Sequence, residues 1–432
     1  MKNRRNTTSL VAIALSGALL LTACGGGGDD AASGGSGGDG DVTLDVSLFG
    51  TMGFEEAGLF DQYEADNPGV TINYESVQEE ADYWTALQTR LSGGETPDLV
   101  GLEVGRITDV TTNQADNFAD MSELAPDAVE GYPEWKTAAA TTEDGKVVGL
   151  GTDAGPMAIC YRSDLLGQAG LPTDPAELAA RMTSWDDYLA LGREYKASAP
   201  AGSAWTDAAS GLYNAIVSTE TEIYYDDNGD PIWDSNPAVR DAFDTAAAAG
   251  EEGLTAKLQQ FAPEWNQGFT SGSFATIACP AWMLGYIKGQ AGDEGANKWN
   301  VVQMPGGMGG NWGGSYLAVP EASDQQEEAA KLAAFLTAPE NQVTLFNEQG
   351  AFPSRSEALT QIGDVTNEYF MNAPIGQIFG EAAEAAPVQV LGINDSIYRV
   401  QLSNALTSVE ANGVSPDDAW KAAGREIENQ AS

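Results

Sequence analysis

The chain contains no histidine. That removes the commonest general base and metal ligand, and with them Ser-His-Asp, Cys-His and His-zinc chemistry. Basic residues are also scarce: 20 Lys and Arg stand against 64 Asp and Glu, for a formal net charge of -44. So acidic a surface repels phosphodiesters and anionic headgroups, and it lacks the basic footprint that nucleic-acid binding needs. Most of these carboxylates are expected to be solvated acids that keep the chain soluble. Cysteine occurs three times, at Cys24, Cys160 and Cys279, too far apart for a zinc knuckle. We expect no cofactor and no metal site, while 64 acids leave two-carboxylate chemistry open on composition alone. No apolar run reaches the ~20 residues of a membrane-spanning helix.

The N-terminus carries its own signal. Lys2, Arg4 and Arg5 precede an apolar run from Leu10 to Leu21, which ends in Leu21-Thr22-Ala23-Cys24. Residues 1–23 therefore read as a signal peptide, and the junction has the form of a bacterial lipobox that lipidates Cys24 after export. Two or more acyl chains, at ~0.8 kcal/mol per buried methylene, make such an anchor stable. Residues 24–41 are the lipidated cysteine followed by Gly, Ser, Ala and Asp, a solvated leash with a reach of about 23 Å. If the free cysteines sit in an oxidising compartment, a disulfide is the expected use of Cys160 and Cys279. The body that follows, about 390 residues, exceeds what one core usually supports, so two lobes are expected.

Along the body, Val42, Leu44, Val46 and Leu48 alternate with polar residues as in a strand, and the loop Gly50-Thr51-Met52-Gly53 follows. A helix is predicted over 54–66, a strand over 70–77, a helix with Tyr83, Trp84, Leu87 and Leu91 on one stripe, and a strand over 99–102. Strand-like runs recur at 147–150, 157–161, 274–278 and within 301–319, with helices at 185–197, 212–219, 237–249 and from Gln325 onward. Pro280 reads as the first residue of a helix. Tyr224 to Trp233 reads as a hairpin around Asn228-Gly229. This alternation predicts an α/β fold with mainly parallel sheets. Gly151-Thr152-Asp153-Ala154-Gly155, between two strand-like runs, suits a crossing between lobes.

Two segments stand out chemically. Cys279-Pro280-Ala281-Trp282 puts an indole at the start of a helix just after a strand, and Gly309-Gly310-Asn311-Trp312-Gly313-Gly314 surrounds a second indole with glycine. Ligands of open α/β sheets bind at the carboxyl ends of strands, and glycine lets backbone amides approach closely. A sugar, with apolar C–H faces and a rim of hydroxyls, matches aromatic platforms joined to carboxylates and amides. A phosphate cradle is disfavoured by the charge and by the lack of a following Gly-Lys-Ser/Thr. Core packing is the competing use of both indoles.

Across its mature length the chain resembles the sugar-binding lipoproteins of bacterial ABC importers, the maltose-binding-protein-like group, and within it the actinobacterial cellobiose and cello-oligosaccharide binders. The segments that carry this are 151–165, 274–283 and 309–315. The resemblance implies a two-lobed periplasmic-binding-protein-like fold of type II, with residues 42–152 plus about 311–353 in one lobe and about 153–310 plus 354–432 in the other. It implies an oligosaccharide ligand in the cleft, closure on binding, and permease and ATPase partners, for a monomer held at the extracellular face by its lipid alone. By position, the resemblance makes Trp282 the stacking tryptophan and Asp153 a hinge carboxylate that accepts sugar hydroxyls; Asn311, Trp312, Gly313 and Gly314, with their flanking glycines, are expected to face Trp282 across the cleft. A solvated loop acid is the other use of Asp153. Glu103 and Arg106 stand where one lobe supplies polar contacts, although the family's aspartate-arginine pair reads Gly105-Arg106 here; a mutual ion pair is the alternative. Trp205 and Asp207 are candidates on the same footing as plain packing. The resemblance also sets the strands of Cys160 and Cys279 side by side. A secreted glycosidase, with two carboxylates about 5 to 9 Å apart, and a peptide or polyamine receptor of the same fold are the rival functions.

Overall fold

The computed structural model describes residues 41–431; the signal peptide, Cys24 and nearly all of the leash lie outside the described residues. Two sheets organise the body. The first has strand order β2-β1-β3-β10-β4, formed by β1 (Val42–Phe49), β2 (Val70–Val77), β3 (Leu99–Glu103), β4 (Leu150–Gly151) and β10 (Ser315–Ala318). The second has order β7-β8-β6-β9, formed by β6 (Met157–Arg162), β7 (Ala204–Thr206), β8 (Phe274–Pro280) and β9 (Trp299–Gln303). A two-stranded pair, β5 (Asp153–Ala154) with β11 (Phe352–Pro353), completes the set.

The expectation of mainly parallel sheets holds for β1, β2 and β3, and for β7 with β8. In the first sheet β10 runs against β3 and β4, and in the second β6 runs against β8 and β9. The cause is connectivity. β6 and β10 are the strands by which the chain enters one sheet from the other, so each arrives against the local direction.

Each sheet is buried on both faces. Along β6, Ile159 and Tyr161 feed one core while Ala158 and Cys160 feed another. In the first sheet Leu44, Val46, Leu48 and Leu99 lie in one core, with Val100 and Leu102 in the other. This period of two is what a strand covered on both sides imposes. Cys160 and Cys279 sit diagonally on paired strands, with Cα atoms 5.4 Å apart, and are joined by a disulfide.

Several local expectations shift. The helix predicted from Phe54 starts at Leu59, because Gly58 takes a left-handed φ of 69°. Of the strand predicted over 147–150 only Leu150 joins a sheet, and Val147 makes a lone bridge to Thr141. Pro280 is not the first helical residue. It ends β8, and the helix is Met283–Gly295. The Asn-Gly hairpin is reduced to one bridge, Tyr225 to Pro231, tightened by Asp226 Oδ1, which accepts from the Asn228 and Asp230 amides.

Candidate functional site

The carboxyl ends of β1, β2 and β3 finish at Phe49, Val77 and Glu103, and those of β7 and β8 at Thr206 and Pro280. Between the sheets run the crossing segments. Asn311 bridges Pro156, the Trp312 amide donates to Gly155 O at 2.8 Å, the Thr152 amide to Ser315 O at 2.9 Å, and the Val104 amide to Gly314 O at 3.0 Å. A Cβ on Gly155 would collide with the Trp312 carbonyl, so glycine is what allows the two crossings to touch. Gly313 and Gly314 follow with φ of 106° and 116°, values that L side chains rarely adopt. Asn311 secures the same junction: its Oδ1 accepts from the Gly155 amide at 2.8 Å and its Nδ2 donates to Gly313 O at 3.2 Å. The Asn311 side chain therefore holds the crossing, which engages the groups that were expected to meet a ligand.

Trp282 is half-buried beside this junction, in the residue that precedes its helix. Its Nε1 donates to Trp312 O at 3.0 Å, and the two indoles meet edge to face with centroids 5.9 Å apart. They were expected to oppose each other across a space. Instead they form one corner, with Trp312 also half-buried and packed toward Met157, Ala278 and Met304. Phe261 adds a third ring, its plane inclined 24° to Trp282 with centroids 6.4 Å apart.

Asp153 is half-buried in β5, and Thr152 Oγ1 donates to its Oδ1 at 2.7 Å. Burial pushes its carboxyl up. Beneath it lies Lys136, fully buried, whose Nζ donates to Asp153 O at 2.8 Å and sits 4.0 Å from the centre of the Tyr316 ring. Burial drives that amine down to about 8 against the pull of the Asp153 and Glu103 carboxylates. Nothing in the sequence marks this lysine, which stands on the six-residue helix Glu134–Ala139.

Glu103 and Arg106 do not pair with each other. Glu103 accepts from the Gly105 amide at 2.8 Å and from Arg399 at 3.1 and 3.3 Å. Arg106 binds Glu80 and donates to Ser396 Oγ at 2.6 Å, with its guanidinium 5.3 Å from the centre of the Trp84 ring. Arg399 and Ser396 belong to the helix Asp395–Asn412, which packs with second-sheet helices, so these contacts stitch the two halves together.

Trp205 and Asp207 are corrected. Trp205 is fully buried between Tyr188 and Tyr195, a core residue. Asp207 is fully buried as well, and its Oδ2 accepts from Trp265 Nε1 at 2.8 Å and Gln260 Nε2 at 2.9 Å, so no ligand reaches it. Close by, buried Glu410 accepts from the Ala209 amide at 3.0 Å. Burial pushes the Glu410 carboxyl up to about 7, and it raises that of Asp207 too. A carboxyl that holds its proton more tightly folded than unfolded stabilises fully below its unfolded value of ~4.3, and that stability is lost as pH climbs through about 7. Glu410→Gln should therefore gain on the order of 2 kcal/mol relative to wild type between about pH 5 and pH 7.5. Urea midpoints of both proteins at the two pH values measure this, and identical pH dependence would contradict it.

Among the described residues, no group of three or more His, Cys, Asp or Glu is placed to hold a metal ion, and no helix is long and apolar enough to cross a membrane. The family model for bacterial extracellular solute-binding proteins matches residues 58–371. A lactose-binding protein of Rhizobium radiobacter is 27% identical over 389 residues, 86% of this chain and 87% of the relative. The solved structure of an extracellular solute-binding protein of family 1 superposes with a TM-score of 0.74 at 40% identity, over 90% of this chain and 100% of that one. An ABC-transporter-associated binding protein from B. animalis subsp. lactis Bl-04, in complex with β-1,6-galactobiose, gives a TM-score of 0.75 at 20% identity, over 89% of this chain and 96% of that one. The two helix-covered sheets, the crossings that join them and the match across most of the body agree: this chain belongs to the bacterial extracellular solute-binding proteins.

Proposed function

We propose that the chain is the sugar-capturing component of an ABC importer, taking a neutral oligosaccharide between two lobes and delivering it to a membrane permease driven by an ATPase. The observation that carries this is the corner of Trp282 and Trp312 at the junction where the chain passes between the sheets. Trp282 and Trp312 offer ring faces, the amides of Gly313 and Gly314 offer donors, and Asp153 offers an acceptor for hydroxyls. The lobes on this reading are residues 42–152 with about 311–353, and about 153–310 with 354–432, in a monomer tethered outside the cell membrane through Cys24. A ligand that touches both lobes binds the closed state better and so drives closure.

The sugar we favour is cellobiose or a longer cello-oligosaccharide. Lactose, named for the Rhizobium radiobacter relative, supports that direction, since both are β-1,4-linked disaccharides that differ at one hydroxyl. Xylo- and laminari-oligosaccharides present similar apolar faces and form the second choice. Calorimetric titration with cellobiose, xylobiose, laminaribiose, lactose, a polyamine and a short peptide tests the reading. One sugar per chain is expected, with cellobiose tightest. Heat from the peptide or the polyamine alone would overturn it, and shortened sugar products would favour the glycosidase.

A further inference from the structure

Phe261 carries no motif that marks it in the sequence, yet its backbone is an outlier. Its φ is 67°, and Lys257, four residues earlier, has φ of 59°. A bulky side chain in the left-handed region is held there only when its surroundings over-determine it, and such residues cluster at ligand clamps.

The surroundings here are specific. Thr255 pairs in parallel with Thr206, so the loop that follows it leaves the second sheet at the same carboxyl edge as Asp207 and Trp282. The Ala256 amide donates to Thr206 O at 2.8 Å and Asp207 O at 3.1 Å. Asp207 Oδ2 then fixes the residues on both sides of Phe261, taking Gln260 Nε2 and Trp265 Nε1. The Trp265 ring lies 5.1 Å from that of Phe261, and Tyr286 meets it at 88° with centroids 5.8 Å apart. All this fixes a ring that stays half-buried and nearly parallel to Trp282. Packing against the core accounts for one side of the ring, and the half-buried remainder lies beside Trp282.

We propose that Phe261 is a second stacking platform, which takes the apolar face of the sugar ring next to the one on Trp282, and that Asp207 is its positioning residue. The site then selects ligands of at least two contiguous rings. This rests on the carbohydrate reading above.

The test is calorimetric titration of wild type, Phe261→Gly, Asp207→Asn and the double variant with cellobiose, xylobiose, laminaribiose and lactose. Glycine adopts the observed φ freely, so Phe261→Gly removes the ring while relieving the backbone; should it fail to fold, Phe261→Asn carries the same expectation. For the disaccharide that wild type binds, affinity should fall about tenfold in Phe261→Gly, as expected for loss of an aromatic contact. Asp207→Asn should weaken binding in the wild-type background and have little further effect once the ring is gone. A role confined to stability would instead give equal losses in both backgrounds. Wild-type binding that survives Phe261→Gly unchanged, or additive losses in the double variant, overturns this proposal alone. Failure of wild type to bind any of the four sugars overturns the carbohydrate reading, and this proposal with it.

Discussion

Trp282→Ala is expected to weaken oligosaccharide binding by about 2 kcal/mol or more, roughly thirtyfold, while the melting temperature moves little. On the proposed reading, this half-buried indole is the kind of anchor whose truncation typically costs this much. The fold should tolerate the change. No side chain caps the helix Met283–Gly295, so shortening residue 282 removes no cap. The bond from Nε1 to Trp312 O is lost, and the Trp312 carbonyl is left to solvent or sugar. Trp282→Phe, which keeps a ring but not the donor, should fall between wild type and alanine. Unchanged affinity with a collapsed melting temperature would show that the indole is core after all.

Replacing both Cys160 and Cys279 with alanine should lower unfolding free energy by ~2 to 4 kcal/mol. The two residues are fully buried, and the bond spans a sequence separation of 119, so the cross-link confines a long stretch of the unfolded chain. Because β6 and β8 are already paired through backbone hydrogen bonds, the second sheet should survive the loss with its topology intact. Urea unfolding would show the midpoint falling at an unchanged slope if folded and unfolded states keep their compactness. A loss of only a few tenths of a kcal/mol contradicts the account. So would two free thiols per unfolded, non-reduced chain in addition to Cys24.

What the sequence showed well was periodicity. β2 runs over the predicted residues, Val70–Val77, and the helices Trp185–Ser198 and Pro237–Glu251 begin where the sequence places them, the structure showing Ser184 and Asn236 as their caps. These signals are local, so a single chain suffices to read them. The glycines around Trp312 are equally visible in the sequence, and the structure uses Gly313 and Gly314 for positive φ at the crossing between the sheets. Partners distant in sequence were not legible. Glu103 meets Arg399 rather than Arg106, and Lys136 is buried against Asp153 and Tyr316, residues far from it in the chain. Trp205 and Asp207 were marked because an aromatic and an acid in a glycine-rich loop resemble a sugar site. The same chemistry also builds a polar anchor in a core, and only the fold separates the two. Phe261 was missed because its signal is a backbone angle, which has no sequence signature outside glycine and asparagine.

The most direct measurement is the electron density of this chain crystallised with the oligosaccharide that titration selects. One sugar ring is expected against the Trp282 indole, the ring beside it on Phe261, and hydroxyls within hydrogen-bond distance of Asp153 and of the Gly313 and Gly314 amides. Sugar density elsewhere, with the Trp282–Trp312 corner untouched, would contradict that placement.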